Sequence, residues 1–175
     1  MQNKKSLLKT TNTAIFTTII LLSTMLVKFS TGLGEGYIHF GDCFIYLSAC
    51  VLPFPYCLVA SAVGGALADI LGGYAVWAIP TAIIKILIAL PFMVACRKNK
   101  TPKILNVKMA LMTIISGAIS IIGYFVAECF LYSIESATLG VIGNIIQAVA
   151  SGILFIIIAG ALDKMNFKSR IFKGA

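Results

Sequence analysis

Charged side chains are scarce in this sequence: they make up 11% of the 175 residues, whereas apolar residues make up 59%. A soluble domain usually carries about 25% charged and about 45–50% apolar residues. The mean hydropathy of +1.00 also excludes a surface that faces water throughout. Because a spanning helix needs roughly 20 apolar residues, the chain has room for about five to six spans in one domain, residues 1–175.

The residues needed for several kinds of chemistry are also few. Cys43, Cys50 and Cys57 recur at seven-residue intervals, which places them about 10 Å apart on a continuous helix. That distance is too long for a disulfide or a shared metal, so they are interpreted as packing residues. There is a single histidine and no glycine-rich phosphate loop with its lysine. We therefore expect no metal or other cofactor, and any ATP hydrolysis would occur in a partner.

The net charge of +8 comes from basic residues that border the hydrophobic segments. This placement is typical of cytoplasmic membrane anchoring and argues against nucleic acid as a partner. It predicts that both termini are cytoplasmic. Twelve of the fourteen basic residues lie in three clusters: Lys4, Lys5 and Lys9; Arg97, Lys98, Lys100, Lys103 and Lys108; Lys164, Lys168, Arg170 and Lys173.

The hydrophobic pattern predicts an all-α membrane bundle. Pro53 and Pro55 separate the second helix from the third, and Gly72-Gly73 caps the third. Pro80 and Pro91 are expected to kink the fourth. The second and third helices are short, so they are either short spans or a re-entrant pair. The six predicted helices cover about residues 11–29, 42–52, 56–71, 74–96, 107–132 and 139–162.

Polar residues within apolar helices are functional candidates, because a charge in hydrocarbon is costly. Lys85 lies mid-helix and is expected either to pair with Asp69, Glu128 or another outer-half carboxylate, or to contact a ligand. Tyr124 and Glu128 share one face of the fifth helix. Asn144 and Gln147 likewise share one face of the sixth. Their similar depth predicts a polar pocket open to the outside, although each alone could simply join helices.

The glycine-rich segment between the first two helices suits a loop that folds over such a site. Tyr37, His39 and Asp42 would close it. His39 and Asp42 could also bind a metal or act in acid–base chemistry, and Asp42 could merely cap the second helix. Aromatic residues near the outer face suit a flat heterocycle: Tyr37, Tyr74, Trp77 and Tyr124.

Four strings together resemble the substrate-binding S components of energy-coupling factor (ECF) vitamin transporters. The resemblance extends over about residues 11–163 and is closest to the branch with riboflavin, pyridoxine and hydroxymethylpyrimidine members. The strings are Gly-Tyr-Ile-His-Phe-Gly-Asp-Cys-Phe-Ile-Tyr-Leu (36–47), Ala-Leu-Ala-Asp-Ile-Leu-Gly-Gly-Tyr (66–74), Pro-Thr-Ala-Ile-Ile-Lys (80–85) and Gly-Tyr-Phe-Val-Ala-Glu (123–128).

This resemblance implies a six-helix protein in a prokaryotic plasma membrane. It would bind a vitamin or precursor under the loop between helices 1 and 2, and topple to release it inside. The implied partners are a transmembrane T subunit and two ATPases. The family's Ala-x-x-x-Ala docking surface corresponds here to Ala14 and Thr18, so the second alanine is replaced.

Two other functions stay open from the residues alone. A membrane enzyme would use His39, Asp42 or Glu128, although a second catalytic cluster is lacking. A small scaffold or assembly protein would use its buried charges only to hold helices together. The sequence does not identify the vitamin.

Overall fold

In the computed structural model, which describes residues 2–26, 28–30, 37–97 and 103–167, six helices are accompanied by a short two-stranded hairpin that contacts α1 and α6. The hairpin pairs Lys28–Ser30 (β1) with Tyr37–His39 (β2) in antiparallel register, so that Phe29 lies opposite Ile38. The helices are Gln2–Met25 (α1), Gly41–Val51 (α2), Tyr56–Leu71 (α3), Ala78–Arg97 (α4), Val107–Leu131 (α5) and Ile134–Lys164 (α6). The expected all-α membrane protein is therefore present, with this hairpin as an addition.

The first helix differs most from its expected bounds of 11–29. It begins at Gln2, and its threonine hydroxyls donate to carbonyls one turn earlier, as Thr13 does to Lys9 at 2.7 Å. These bonds make a polar helical start acceptable, because each hydroxyl is satisfied within the helix. The helix ends at Met25, since residues 28–30 pair with β2 instead.

The other boundaries have local causes. α6 begins at Ile134 rather than near 139, because the Ser133 hydroxyl caps it by accepting from the Ser136 N–H at 3.2 Å. A 3₁₀ turn, Ala75–Trp77, precedes α4. Pro80 consequently lies in the first turn of α4, where a missing N–H is tolerated, whereas Pro91 lies inside the helix. Gly73 follows α3 with φ +87°, the left-handed conformation of a glycine cap.

Three helices are long and apolar enough to cross a membrane within the described residues: 75–96, α5 and α6. α1 has 24 residues and a length of about 36 Å at 1.5 Å per residue. The 11 residues of α2 reach only about 16 Å. α2 and α3 are the shorter apolar helices expected from the sequence.

Neighbouring helices pack in the order α1, α3, α4, α5, α6, and α2 lies among α1, α3, α4 and α6. Ten residues of α2 are buried, which explains how so short an apolar helix is retained. Its Tyr46 stacks on Phe92 of α4 with ring centroids 4.5 Å apart, and the edge of Phe155 of α6 completes the cluster. α2 is thus the centre of the bundle.

Two adjacent glycines bring α3 close to its neighbours. A Cβ on Gly64 would lie 2.9 Å from the Ile20 side chain and 3.0 Å from the Thr17 carbonyl of α1. A Cβ on Gly65 would lie 2.9 Å from Cγ of Lys85 on α4. Small residues therefore set the separation of both helix pairs, as they do in many membrane bundles.

Replacing Gly64 by Ala tests this close approach. The added methyl group meets backbone and branched carbon, so we expect a destabilisation of about 1–3 kcal/mol. Gly160→Ala is the matched control, because its Cβ would find only Leu105 at 3.6 Å. Thermal unfolding in detergent should place Gly64→Ala below the wild type and Gly160→Ala at or above it. Equal melting temperatures for the two variants would contradict the proposed packing.

Candidate functional site

Lys85, near the middle of α4, is a fully buried charge. Its side chain is fully buried, and its Nζ lies 2.5 Å from Oδ1 of Asp42, which is also fully buried. A buried charge without a partner is strongly unfavourable, so the two residues depend on one another. The expected ion pair is present, and the carboxylate is Asp42 of α2.

The second oxygen of Asp42 extends the pair to α6. Gln147 donates from Nε2 to Oδ2 of Asp42 at 3.0 Å. The Gln147 carbonyl oxygen accepts from the backbone N–H of His39 at 3.3 Å. One glutamine thereby connects the hairpin to α2, and Asp42 connects both to α4. We call His39, Asp42, Lys85 and Gln147 the buried polar cluster.

Asp42 does not cap α2. The N-cap position is Phe40, and Asp42 lies in the first turn with its carboxylate directed to Lys85 and Gln147. The capping alternative is therefore wrong. A carboxylate in the first turn is still favoured by the partial positive charge of the helix N-terminus.

His39 is 4% exposed and lies between the hairpin and α2. Its Nδ1 accepts from the backbone N–H of Gly41 at 3.1 Å, while Nε2 lies 3.5 Å from Nζ of Lys85. A neutral ring with this acceptor carries its proton on Nε2. The pKa of His39 is lowered to about 3, chiefly by burial and also by the Lys85 ammonium, while Asp42 acts in the opposite direction. The imidazole is accordingly neutral at physiological pH.

Aromatic rings border the cluster on one side. The Tyr124 ring centroid lies 5.1 Å from Nζ of Lys85, and its hydroxyl donates to Oγ1 of Thr81 at 3.5 Å. Trp77 packs on Tyr124 and on Tyr132, with centroids 6.0 Å and 5.9 Å apart. Such a contact between an ammonium and a ring is favourable in a desolvated site.

Trp77 was expected among the aromatic residues near the outer face, whereas Thr81 was not predicted as a site residue. The four-residue spacing of Trp77, Thr81 and Lys85 is the signal that places them on one face of a helix. Thr81 is buried, and its hydroxyl orients Tyr124.

Glu128 lies outside the buried polar cluster. It is buried on α5, where the Ser136 hydroxyl donates to its Oε1 at 3.4 Å. The backbone of Gly140 on α6 runs against the Glu128 carboxylate, because a Cβ there would overlap it. Glu128 therefore contacts the beginning of α6, one turn beyond Tyr124 on the same helix.

The remaining predicted residues belong to α6, to the connection between α3 and α4, and to the hairpin. Asn144 is half-buried on α6, three residues before Gln147. Tyr74 is half-buried, and Nζ of Lys28 lies 5.3 Å from its ring centroid. The backbone of Tyr37 pairs with Ser30, and its side chain lies outside the described part of the chain.

Ala14 and Thr18 lie on an exposed face of α1. The Thr18 hydroxyl donates to the Ala14 carbonyl at 3.0 Å, which satisfies it within the helix. The small-residue pair consequently presents its methyl groups outward, away from the neighbouring helices.

These features define a helical membrane protein with a buried polar site beside aromatic rings. A sequence model of the family described as ECF-type riboflavin transporter, S component, matches residues 4–164. The chain belongs to this family, which confirms the resemblance. A comparison with curated proteins finds no match. The protein is thus a substrate-binding S component of an ECF transporter; the family is not one of enzymes.

The neutral, buried state of His39 predicts a pH dependence of stability. Its folded-state pKa of about 3 lies below the unfolded value of about 6.5, so the unfolded chain binds more protons between these values. Stability is therefore complete above about pH 6.5 and falls as the pH decreases. At about 1.36 kcal/mol per pH unit, the loss between pH 7 and pH 5 should be about 2 kcal/mol.

Unfolding in detergent at several pH values measures this slope. His39 is the single histidine of the chain, so His39→Gln should flatten the curve between pH 5 and pH 7. The same slope in His39→Gln would show that another group is responsible.

Proposed function

We propose that this S component captures a flat heterocyclic vitamin on the extracellular side, with riboflavin as the first candidate. It then topples in the membrane to release the vitamin inside, in a complex with a transmembrane T subunit and two ATPases. The name of the matching family supports riboflavin, and the aromatic rings of Trp77 and Tyr124 provide stacking surfaces. The chain supplies binding and orientation, and its partners supply the free energy of ATP hydrolysis.

One observation carries this proposal: the segment between α1 and α2 is tied to the buried polar cluster. His39 of β2 donates to Gln147 and faces Lys85. A ligand that contacts this segment would therefore be linked by hydrogen bonds to polar side chains of α2, α4 and α6. Such coupling is what a lid needs to report that its site is filled.

We infer six membrane segments in a prokaryotic plasma membrane, with both termini cytoplasmic. Exposed lysines mark one end of the bundle: Lys9 near the start of α1, Lys108 in the first turn of α5 and Lys164 at the end of α6. Basic residues favour the cytoplasmic side. His39, β2 and the α5–α6 connection then lie toward the outside, where the vitamin is captured.

The exposed pair Ala14 and Thr18 is the proposed contact for the T subunit. A four-residue spacing of small side chains lets another helix approach closely. Thr18 is larger than alanine, but its hydroxyl is already satisfied by the Ala14 carbonyl. A partner helix therefore meets a methyl surface without an unpaired polar group.

Titration of the purified protein with riboflavin, followed by quenching of the vitamin's fluorescence, tests the proposal. Asn144 is a half-buried amide beside the cluster, and we expect it to hydrogen-bond the vitamin. Asn144→Leu should weaken binding about tenfold, because a lost hydrogen bond of about 1.4 kcal/mol corresponds to that factor. Asn12→Leu makes the same change on α1 and should leave affinity unchanged.

Binding by intact cells that express the protein would place the site on the outside. At low temperature, where uptake does not occur, we expect riboflavin to bind to these cells in a saturable manner. If neither riboflavin nor any other vitamin in a panel of flat heterocycles binds or raises the melting temperature, the proposed function is wrong.

A further inference from the structure

A groove between α4 and α5 lies away from the buried polar cluster. It has a volume of about 560 Å³, within the range of about 300–1,000 Å³ typical of ligand pockets. Leu90, Pro91 and Ala95 form its α4 wall, and Met112 and Ile115 form much of its α5 wall. The described residues that line it are apolar except for Lys108.

The groove has the length of one bilayer leaflet. On α5 it runs from Lys108 to Ile119, which is about 16 Å at 1.5 Å per residue. Half of a hydrocarbon core is about 15 Å thick. The groove thus begins at the basic end of the helices and ends near the middle of the membrane, where its lining is apolar.

Charge is confined to the mouth of the groove. Lys108 lies in the first turn of α5, and Lys103 precedes it in the same connection; both are exposed. The preceding sequence adds Arg97, Lys98 and Lys100. A basic segment at the end of a spanning helix attracts anionic lipid headgroups, and a long lysine side chain can reach the headgroup level from this depth.

We propose that this groove binds one anionic phospholipid. One acyl chain lies between α4 and α5, and the phosphate contacts Lys108. Pro91 contributes to the space because its side chain is compact. It also lacks the N–H that would donate to the Leu87 carbonyl within α4, and Leu87 is another residue that lines the groove. The apolar lining of the groove matches an acyl chain, and the positive charge at its mouth matches a phosphate. An apolar protein helix would fit less well, because it would leave Lys108 against an apolar surface.

Native mass spectrometry after release from nanodiscs of mixed phosphatidylglycerol and phosphatidylcholine tests the proposal. The wild type should retain phosphatidylglycerol in preference to phosphatidylcholine. Lys108→Gln should reduce that preference about fivefold, the factor expected for one lysine near a membrane surface. Ile115→Trp should fill the groove and reduce retention of both lipids. Ile115 is 46% exposed, so a tryptophan ring at this position can extend into the groove without disturbing the core.

Matched controls are Lys164→Gln, which removes an exposed lysine elsewhere, and Ile142→Trp, which enlarges a residue that is 55% exposed on α6. Both should retain lipid as the wild type does. The proposal would be overturned if the wild type retained both lipids equally. It would also be overturned if both groove variants retained lipid as the wild type does. A third contradictory result would be that Ile115→Trp dissociates a dimer or a bound protein and leaves phosphatidylglycerol binding unchanged. If Ile115→Trp lowers the melting temperature, Lys108→Gln decides alone.

Discussion

The ion pair between Asp42 and Lys85 is the interaction on which the rest of this structure depends. Both side chains are fully buried, and a charge in such surroundings is retained only when it is paired and hydrogen-bonded. The pair holds α2 against α4, and the second carboxylate oxygen binds Gln147 of α6. Through His39 the same cluster holds the hairpin. One turn further along α2, Tyr46 packs between Phe92 and Phe155. A helix of only 11 residues is thereby fixed at the centre of the bundle.

This arrangement connects the hairpin between α1 and α2 to α2, α4 and α6. In the proposed function, the vitamin contacts the segment around His39 and the aromatic rings beside Lys85. Any movement of that segment must either keep or break the hydrogen bond to Gln147, and it alters the surroundings of a buried charge. In that proposal the cluster is both a structural element and the place where a bound vitamin would be sensed. The proposed lipid groove is lined by other residues, from the second half of α4 and the first half of α5, so the two sites can be tested separately.

Much of the fold was accessible from composition and periodicity. Prolines 53 and 55, glycines 72 and 73, and the hydrophobic pattern predicted a short second and third helix and longer helices elsewhere. Lys85 and Gln147 were singled out because charges and amides are costly in apolar helices, and His39 and Asp42 because they lie in the glycine-rich segment before α2. The hairpin was missed because its pairing of 28–30 with 37–39 depends on contacts across a loop, which helical periodicity does not report. Spacing also gave Glu128 and Lys85 similar depth, but depth along a helix does not determine which helices are neighbours or how each is rotated. Glu128 accordingly contacts α6, while Asp42 reaches Lys85.

A double-mutant cycle on Asp42 and Lys85 tests the central claim most directly. The free energy of unfolding in detergent would be measured for Asp42→Asn, Lys85→Met and the combined variant. Each single change leaves a buried group without its charge partner and should cost about 3–5 kcal/mol. The combined variant removes both charges, so its loss should be clearly smaller than the sum of the two. Losses that simply add would show that the two residues act independently, and the account of α2 and the hairpin would be wrong.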